Sequence, residues 1–510
     1  MLPILTPAES AELDRASAQR GVSVEALMEN AGRAVARSTV DLAGGAYGRR
    51  AVVVCGKGNN GGDGLVAARA LSRRGMGVTV VLLERPEEFR GAARSNFHRL
   101  AAADERWHPF AAAALARDIA RADVVIDAVF GTGFRGKPEG DVARAIELIN
   151  ELATSVVAVD IPSGVEGETG MVRGEAVFAD LTVTLGALKP GVVFHPGAEH
   201  AGTVEVADIG FPEDLVMSDL SMVEAQDVAG LLPRRPPESH KRDAVVMVLA
   251  GSRAMTGAPV LAATAAYRAG AGLVTLAVPE GILTVVQEGI AEATFLPLRE
   301  TEEGTIDERA WELFRERLEE VDAVAVGPGL TTNPSTVELV RNLVAESPVP
   351  MVLDADGLNA FAGRAHLLSE RAADIVITPH AGEFGRLAGL ASREVLEDRV
   401  GHARKAAAEY RCPVLLKGSR TVVAEPGGLV RVNPTGGPVL ATGGTGDVLT
   451  GAIAGLIARG LAPADAAVAA SYFHGVAGAL AAAELGEGTV ASDVAVRLPP
   501  AMALVGKASE

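Results

Sequence analysis

Residues 56–64 read GKGNNGGDG and directly follow the apolar run 51–55. A dinucleotide fingerprint would read GxGxxG and a P-loop would end in Gly-Lys-Ser/Thr, so this stretch is neither. Between its glycines it carries Asn59, Asn60 and Asp63. Two further loops lie in the same half of the chain, DAVFGTGFRGK at 127–137 and VDIPSGV at 159–165. In the first, Gly131, Gly133 and Gly136 permit tight turns while Arg135 and Lys137 can neutralise a phosphate, although glycine turns flanked by basic residues are common. Asp160 closes a strand, and its carboxylate serves either as a base or ligand partner, or as the cap of its own turn. Asn60, Asp127 and Ser163 together offer neutral oxygens and one carboxylate. A zinc site would want Cys or His and magnesium would want more charge, so a weakly held monovalent cation fits this donor set best. Lys57 reads as ordinary surface or phosphate electrostatics.

The second concentration of chemistry is NPTGGPVLATGGTGDVLTGAIAGLIARG at 433–460. A glycine turn entering an apolar-periodic helix aims unpaired N–H groups at whatever sits above residues 443–446 and favours negative charge there. Asp447 opens that helix. An aspartate in a first turn is itself a favourable helix feature, yet the glycines around it leave room for a reactant, which supports a general base beside a phosphoryl-accepting hydroxyl. No Walker lysine is present, so a nucleotide needs another cradle, and LLKGSRT at 415–421 offers a lysine, an arginine and hydroxyls. The loops GSRAMTGAP (251–259), VGPGL (326–330), DADGLNAF (354–361) and TPHAGEFGRL (378–387) belong to the same account. Gly327 and Gly329 bring backbone close to a ligand, while Asp356 and Asn359 face a polar substrate or stabilise their own turn. His380 reads first as a local hydrogen-bonding residue and second as a donor to a phosphate.

Such loops need strands to present them. Apolar strands alternate with helical patterns twice, on either side of PRRPPESHKR (233–242), a stretch rich in proline and charge. The first repetition predicts helices at 7–20, 24–42, 65–74 and 140–153, with strands at 51–55, 78–83, 123–128, 155–161, 181–185 and 203–207. The second predicts strands at 245–249, 273–277, 323–326, 349–354, 375–378 and 414–417, and an antiparallel excursion at 426–437. A helix at 259–269 has Pro259 in its first turn and Gly270 past its end. Both halves are therefore α/β, with mostly parallel sheets between helical layers. Hydrophobic residues make up 48% but aromatics only 4%, so Ala, Val and Leu must fill the layers, with backbones approaching closely at many of the 58 glycines. The net charge of -18 argues against a general nucleic-acid or anionic-membrane binder while permitting local anion pockets. Cys55 and Cys412 read as buried free thiols, which excludes a disulfide framework. MLPILTPAESAELDR carries no secretory core and no uninterrupted membrane span is legible, so a soluble, cytoplasmic protein is expected.

Taken together, the three loops of the first half resemble the NAD(P)H-hydrate epimerases: residues 58–64 closely match that family's signature, reinforced by GTGFRG and DIPSG. The resemblance sets a Rossmann-like first domain at 1–225. It implies that Asn60, Asp127 and Ser163 hold potassium. It also implies that Asn59, Asn60, Gly61, Gly62, Asp63, the run Gly131, Thr132, Gly133, Phe134, Arg135, Gly136 and Lys137, and Asp160 contact the hydrated cofactor. The implied reaction interconverts the R and S epimers at C6 of NADH-hydrate or NADPH-hydrate, with Asp160 catalytic and Asp63 or a water assisting.

The block 226–510 resembles the ribokinase-like superfamily and, within it, the NAD(P)H-hydrate dehydratases, on TGAP with RAGAGLVT, GPG, DADGLN, TPHAGE, KGS and GTGDxLTG. This implies hydrate near Ala258, Gly329, His380 and Asp447, and adenine nucleotide near Lys417, Gly418, Ser419, Arg420, Thr421 and Gly446, with magnesium escorting the phosphates. Water leaves a neutral alcohol poorly. Phosphorylating the C6 hydroxyl with ADP, usual in bacterial-type members, or ATP, in eukaryotic ones, makes phosphate the leaving group, and Asp447 would activate that hydroxyl. Met255 stands where many relatives carry tyrosine, Ala381 replaces a frequent proline, and GSR replaces a more glycine-rich start, all of which bear on fine positioning and donor preference. Two rivals stand beside this reading: a ribokinase-like kinase of a small alcohol, and a first domain that only binds a ligand or partner. The combined expectation is a bifunctional repair enzyme of two three-layer αβα domains, forming a homo-oligomer, with no nucleic-acid or membrane partner.

Overall fold

The apolar run before the first glycine-rich loop is a strand, Arg50–Cys55 (β1), in the computed structural model, which describes residues 1–507. Its β-branched valines are buried on both faces, as a parallel sheet covered by helices requires. Val53 and Cys55 pack with the helices Val24–Leu42 and Asn59–Arg73, whereas Val52 and Val54 pack with Ala112–Ile119 and Gly140–Leu152. The sheet is completed by Gly77–Leu82 (β2), Trp107–Pro109 (β3), Val124–Ala128 (β4), Val156–Val159 (β5), Leu181–Leu185 (β6) and Thr203–Ala207 (β7). All pairs are parallel, in the order β3-β2-β1-β4-β5-β6-β7. The chain leaves β1 toward one edge and returns at β4 to build the other. The loops after β1 and β4 therefore part at the switch point where doubly wound sheets bind ligands.

One element differs from the sequence reading. The helix expected from residue 65 begins at Asn59, so most of the glycine-rich stretch is helical. Glycine is a poor helix former, by about 1 kcal/mol against alanine, but packing overrides propensity here: a Cβ on Gly61 would lie 1.8 Å from the carbonyl oxygen of Gly56. Only glycine lets the helix start this close to the end of β1.

A second compact unit begins at Asp219. Its strands are Leu220–Met222 (β8), Val245–Leu249 (β9), Leu273–Pro279 (β10), Thr294–Leu298 (β11), Ala323–Val326 (β12), Met351–Leu353 (β13), Ile375–Ile377 (β14), Val414–Leu416 (β15), Val422–Ala424 (β16) and Val430–Val432 (β17). They run in the order β8-β17-β16-β15-β14-β13-β12-β9-β10-β11, parallel from β15 to β11, with β16 antiparallel to both β15 and β17. Residues 219–225, placed above in the first domain, belong here, since β8 pairs with β17 and Val223 joins the core. The proline-rich stretch 233–242 is likewise inside this unit and does not separate the two. Strands β3 and β11 escaped the sequence reading because each contains a proline; both lie at sheet edges, where a missing N–H is tolerated.

The helices Gly257–Arg268, Thr445–Ala458, Pro463–Leu485 and Ala491–Gly506 share one alanine-rich core. Backbones nearly touch: a Cβ on Gly451 would come within 1.9 Å of the Ala262 carbonyl oxygen. No uninterrupted span was expected from the sequence, yet residues 463–488 are long and apolar enough to cross a membrane. In the fold, 72% of its most apolar stretch is buried inside the unit.

Candidate functional site

In the first unit, the segments after β1, β4 and β5 meet at a cavity of about 660 Å³. Of the residues expected there, Asn59, Asn60, Asp63, Gly131, Thr132, Gly133, Phe134, Arg135 and Asp160 line it. Gly61 and Gly62 instead face packed neighbours, Gly56 and Met28, while Gly136 and Lys137 stand outside the lining. The Gly136 amide donates to Glu166 (3.1 Å), which also accepts from Arg173 (2.8 Å), so a buried glutamate that the sequence reading missed anchors this loop. Lys57 is engaged at the surface with Glu88 (3.1 Å).

Asp160 sits just past β5 at φ 68°, in the left-handed region. Lys189 Nζ donates to its Oδ1 (2.6 Å), as does the Leu185 amide (3.2 Å), and the Thr132 amide donates to Oδ2 (3.2 Å). The side chains of Lys189 and Asp160 are only 3% and 9% exposed. Removing one partner of such a buried pair costs about 3–5 kcal/mol, a commitment that a turn cap does not require. Lys189 was not anticipated; its signal is that it is the only charged residue between Asp180 and His195. Asp63 lines the same cavity, and burial, then the charges of Asp160 and Asp14, push its carboxyl well above the usual range against the pull of Lys189. A salt-paired carboxylate and a carboxyl held well above the usual carboxylate range thus face one cavity.

The three residues expected to hold a cation converge on Phe130. Asn60 Nδ2 donates to the Phe130 carbonyl (2.9 Å), Ser163 Oγ accepts from the Phe130 amide (2.9 Å), and Ser163 donates to Asp127 through both Oγ (2.6 Å) and its amide (2.7 Å). Asp127 is fully buried, and burial pushes its pKa up to about 6 although hydrogen bonds from Ser163 and Val129 pull it down.

In the second unit, Asp447 lies in the first turn of Thr445–Ala458, whose N-cap, Gly444, offers no side chain. Burial, then Asp354, pushes Asp447 up to about 7, with Lys417 opposing and Asp356 adding. Asp354 is buried and accepts from Lys417 Nζ (2.6 Å), Thr378 Oγ1 (2.9 Å) and Thr450 Oγ1 (2.8 Å). Burial works against the charge on Lys417, but Asp354 and Glu383 outweigh it and hold its pKa above the ordinary lysine value. A Cβ on Gly446 would lie 3.5 Å from Lys417 Nζ, so these two expected nucleotide residues do meet. Gly329, at φ 69°, leaves space that a Cβ would lose to Met255 (2.8 Å) and Ala258 (3.3 Å).

His380 Nδ1 caps Ala381–Ala388 by accepting from the Gly382 (2.9 Å) and Glu383 (3.4 Å) amides. Asp356 joins its own turn to the end of the VGPGL loop, accepting from Asn359 Nδ2 (3.0 Å) and from Thr331 N (2.8 Å). In the segment 418–421, Thr421 Oγ1 donates to the Gly418 carbonyl (3.0 Å) and Arg420 is turned onto the Pro434 carbonyl (2.6 Å). The half-buried Arg399 guanidinium holds the Ser419 and Leu416 carbonyls. Neither Asp354 nor Arg399 had been assigned a role; the first lies inside the quoted DADGLNAF.

A family model described as NAD(P)H-hydrate dehydratase matches residues 246–500, and one described as YjeF-related protein N-terminus matches 24–191. The chain is 45% identical over 499 residues to a bifunctional NAD(P)H-hydrate repair enzyme of Moorella thermoacetica, covering 95% of this chain and 93% of that one. It is 42% identical over 485 residues to the enzyme of the same name from Thermofilum pendens, covering 93% and 91%. Among solved structures, the ADP/ATP-dependent NAD(P)H-hydrate dehydratase of Bacillus subtilis, co-crystallised with ATP and magnesium, is 32% identical over 56% of this chain and 98% of that one, with a TM-score of 0.48. A ribokinase-like superfamily protein of Enterococcus faecalis is 22% identical over 57% and 98%, with a TM-score of 0.50, a likeness of fold.

Proposed function

The chain belongs to the bifunctional NAD(P)H-hydrate repair enzymes, and we propose that the first unit's cavity performs the epimerisation and the Asp447 cluster the dehydration. The protein is an NAD(P)H-hydrate epimerase and an adenine-nucleotide-dependent NAD(P)H-hydrate dehydratase, acting on NADH-hydrate and NADPH-hydrate.

The hydrate carries a hydroxyl on C6, next to the ring nitrogen N1. To invert C6, the C–O bond breaks as its oxygen takes a proton and the N1 lone pair forms N1=C6; water then adds to the other face and loses a proton. An acid and a base are needed at once, and they exchange roles in the reverse direction. The observation that carries the assignment is Asp160 paired with Lys189 in the cavity that Asp63, raised by burial and by its acidic neighbours, also lines. Asp160 takes the proton of the incoming water and Asp63 protonates the departing hydroxyl, while the amides of 131–135 and Arg135 receive the pyrophosphate. Asp160→Asn is expected to abolish R-to-S conversion of purified NADH-hydrate; conversion at the wild-type rate would overturn the assignment.

Potassium fits the oxygens of Asn60, Phe130, Asp127 and Ser163, which include one buried carboxylate and neither sulfur nor imidazole. When bound, it supplies the positive charge that the buried Asp127 lacks. In the second unit, the described residues hold no cluster of three or more His, Cys, Asp or Glu side chains suited to a metal, so magnesium fits as the partner of nucleotide phosphates.

There, Asp447 takes the proton of the C6 hydroxyl as that oxygen bonds the terminal phosphorus of ADP or ATP, and AMP or ADP leaves. The N1 lone pair expels phosphate from C6, and loss of a C5 proton restores the dihydropyridine. With a pKa of about 7, Asp447 is a base over the neutral range. Recovered NAD(P)H absorbance with ADP and ATP compared, for wild type and Asp447→Asn, tests both donor choice and role. We place the enzyme in the cytoplasm, where the buried, unpaired Cys55 and Cys412 suit a reducing compartment. We also place it in a homo-oligomer without nucleic-acid or membrane partners, to be counted by light scattering.

A further inference from the structure

The epimerase cavity extends beyond the signature residues. Its wall includes Ser10 and Asp14 of the helix Pro7–Gln19, upstream of the residues 24–191 that match the first family model. Four residues apart, the two share one helix face. The buried Oγ of Ser10 has no hydrogen-bond partner. Asp14 is half-buried, and its charge is felt at Asp63, a position also influenced by Asp160 and Lys189. Burial pushes the Asp14 carboxyl up, with Lys189 opposing and Asp160 adding. The neighbouring wall is apolar, from Leu13, Leu27, Ile209 and Phe211.

These facts set Asp14 on the cavity wall within electrostatic reach of Asp63 and Asp160, the groups assigned to C6. A hydrated nicotinamide ring has two polar poles, the C6 hydroxyl and the C3 carboxamide, on opposite sides of the ring. Asp160 and Asp63 serve the first. An apolar wall interrupted by one carboxylate and one unpartnered hydroxyl matches the second, because a primary amide needs an acceptor for its NH₂ and a donor for its carbonyl. We infer that Ser10 and Asp14 form the carboxamide subsite of the epimerase, Asp14 accepting from the amide nitrogen and the Ser10 hydroxyl donating to the amide oxygen. This rests on the assignment of the cavity to the epimerase.

The test measures R-to-S conversion by the full chain on NADH-hydrate and on the hydrate of the reduced 3-acetylpyridine analogue, in which a methyl group replaces the amide nitrogen. No conversion of NADH-hydrate by wild type would sink the epimerase assignment itself. Given conversion, Asp14→Ala should raise KM for NADH-hydrate roughly 10- to 100-fold, the range of a hydrogen bond to a charged group. It should also shrink the preference over the analogue by the same factor, with a larger effect on KM than on kcat. Asp14→Asn, which keeps an acceptor oxygen, should recover part of the preference. Ser10→Ala should weaken both hydrates equally, since both keep the carbonyl. Unchanged KM and preference in Asp14→Ala would overturn the inference. So would a fall in kcat larger than the rise in KM and equal on both hydrates, which would make Asp14 a proton-transfer group. The melting transition of the first unit, followed by calorimetry of the same samples, reports that this unit is folded.

Discussion

Replacing Asp447 by asparagine should stabilise the second unit while silencing it. A negative charge in the first turn of a helix normally contributes about 0.3–1 kcal/mol of stability. The surroundings of Asp447 act the other way: burial first, then Asp354 and Asp356, against Lys417, raise it from 3.8 to about 7. A carboxyl raised in the folded state contributes fully below its unfolded pKa, and that contribution is lost as pH climbs through the folded value. A rise of about three units corresponds to about 4 kcal/mol at 1.36 kcal/mol per unit. Because the side chain is partly exposed, solvent screening reduces this to about 1–3 kcal/mol at pH 8. Asp447→Asn removes the charge and keeps the shape, so without nucleotide its melting transition should rise by roughly 2–8 °C at pH 8. At pH 5 the advantage should shrink by more than half, because the wild-type carboxyl is then largely protonated. Differential scanning calorimetry of both proteins at the two pH values, beside an NAD(P)H-recovery assay, checks the claim. A variant less stable than wild type at pH 8, or shifted equally at both, would show that Asp447 is a helix-start residue and remove the physical basis for its role as base.

In the first unit, Asp127 protonates below about 6, so half-maximal activation of the epimerase should require clearly more potassium at pH 5.5 than at pH 7.5, read from potassium titrations of R-to-S conversion. Lys189→Met strands a buried carboxylate; epimerisation should collapse and the first unit should lose about 3–5 kcal/mol in denaturant unfolding, while dehydration of the S form continues. Gly61→Ala places a Cβ 1.8 Å from a backbone oxygen, so the melting transition of the first unit should fall while that of the second stays, in the same calorimetric trace. Asp447→Asn should still interconvert the R and S forms at the wild-type rate, measured by chromatography of the two hydrates.

Strand positions were legible wherever β-branched runs lie inside a parallel sheet, as at β1, β4, β9 and β12, because burial on both faces leaves a continuous apolar signal. The short edge strands were not, since β3 and β11 each contain a proline that only an edge tolerates. The unit boundary was displaced by composition: PRRPPESHKR has the look of a linker, but the three residues of β8 pair with β17 from a position upstream of it. Among the proposed site residues, motif spacing pointed to Asp160, Asp127, Asn60 and Asp447, each inside a motif that also carries glycine. It missed Lys189, Glu166, Ser10 and Asp14 because their meaning comes from what the fold sets against them. It also counted Gly61 and Gly62 as substrate contacts, although their neighbours are a backbone carbonyl and Met28.

Both units contain a buried Lys–Asp pair at 2.6 Å, Lys189 with Asp160 and Lys417 with Asp354, yet the pairs do different things. In the first, the carboxylate of the pair faces the cavity and is itself the proposed base, so the ammonium keeps a charged group available in a buried place. In the second, the paired Asp354 is buried and also accepts from Thr378 and Thr450. The group assigned to react is the unpaired Asp447, raised partly by Asp354. An epimerase must hold an acid and a base ready in either direction, for which a fixed ion pair beside a carboxyl raised by burial is suited. Phosphorylation of an alcohol runs one way and needs a base that accepts a proton near neutrality, which a carboxyl raised to about 7 provides. Neutralising the two lysines therefore has unlike consequences. Without Lys189 the proposed base itself is uncompensated and takes up a proton. Without Lys417 the charge pulling Asp447 down is gone, so the acid limb of the dehydratase profile should move to higher pH while the S form is still bound. A limb that stayed at its wild-type position in Lys417→Met would break the link between Lys417 and the reactivity of Asp447.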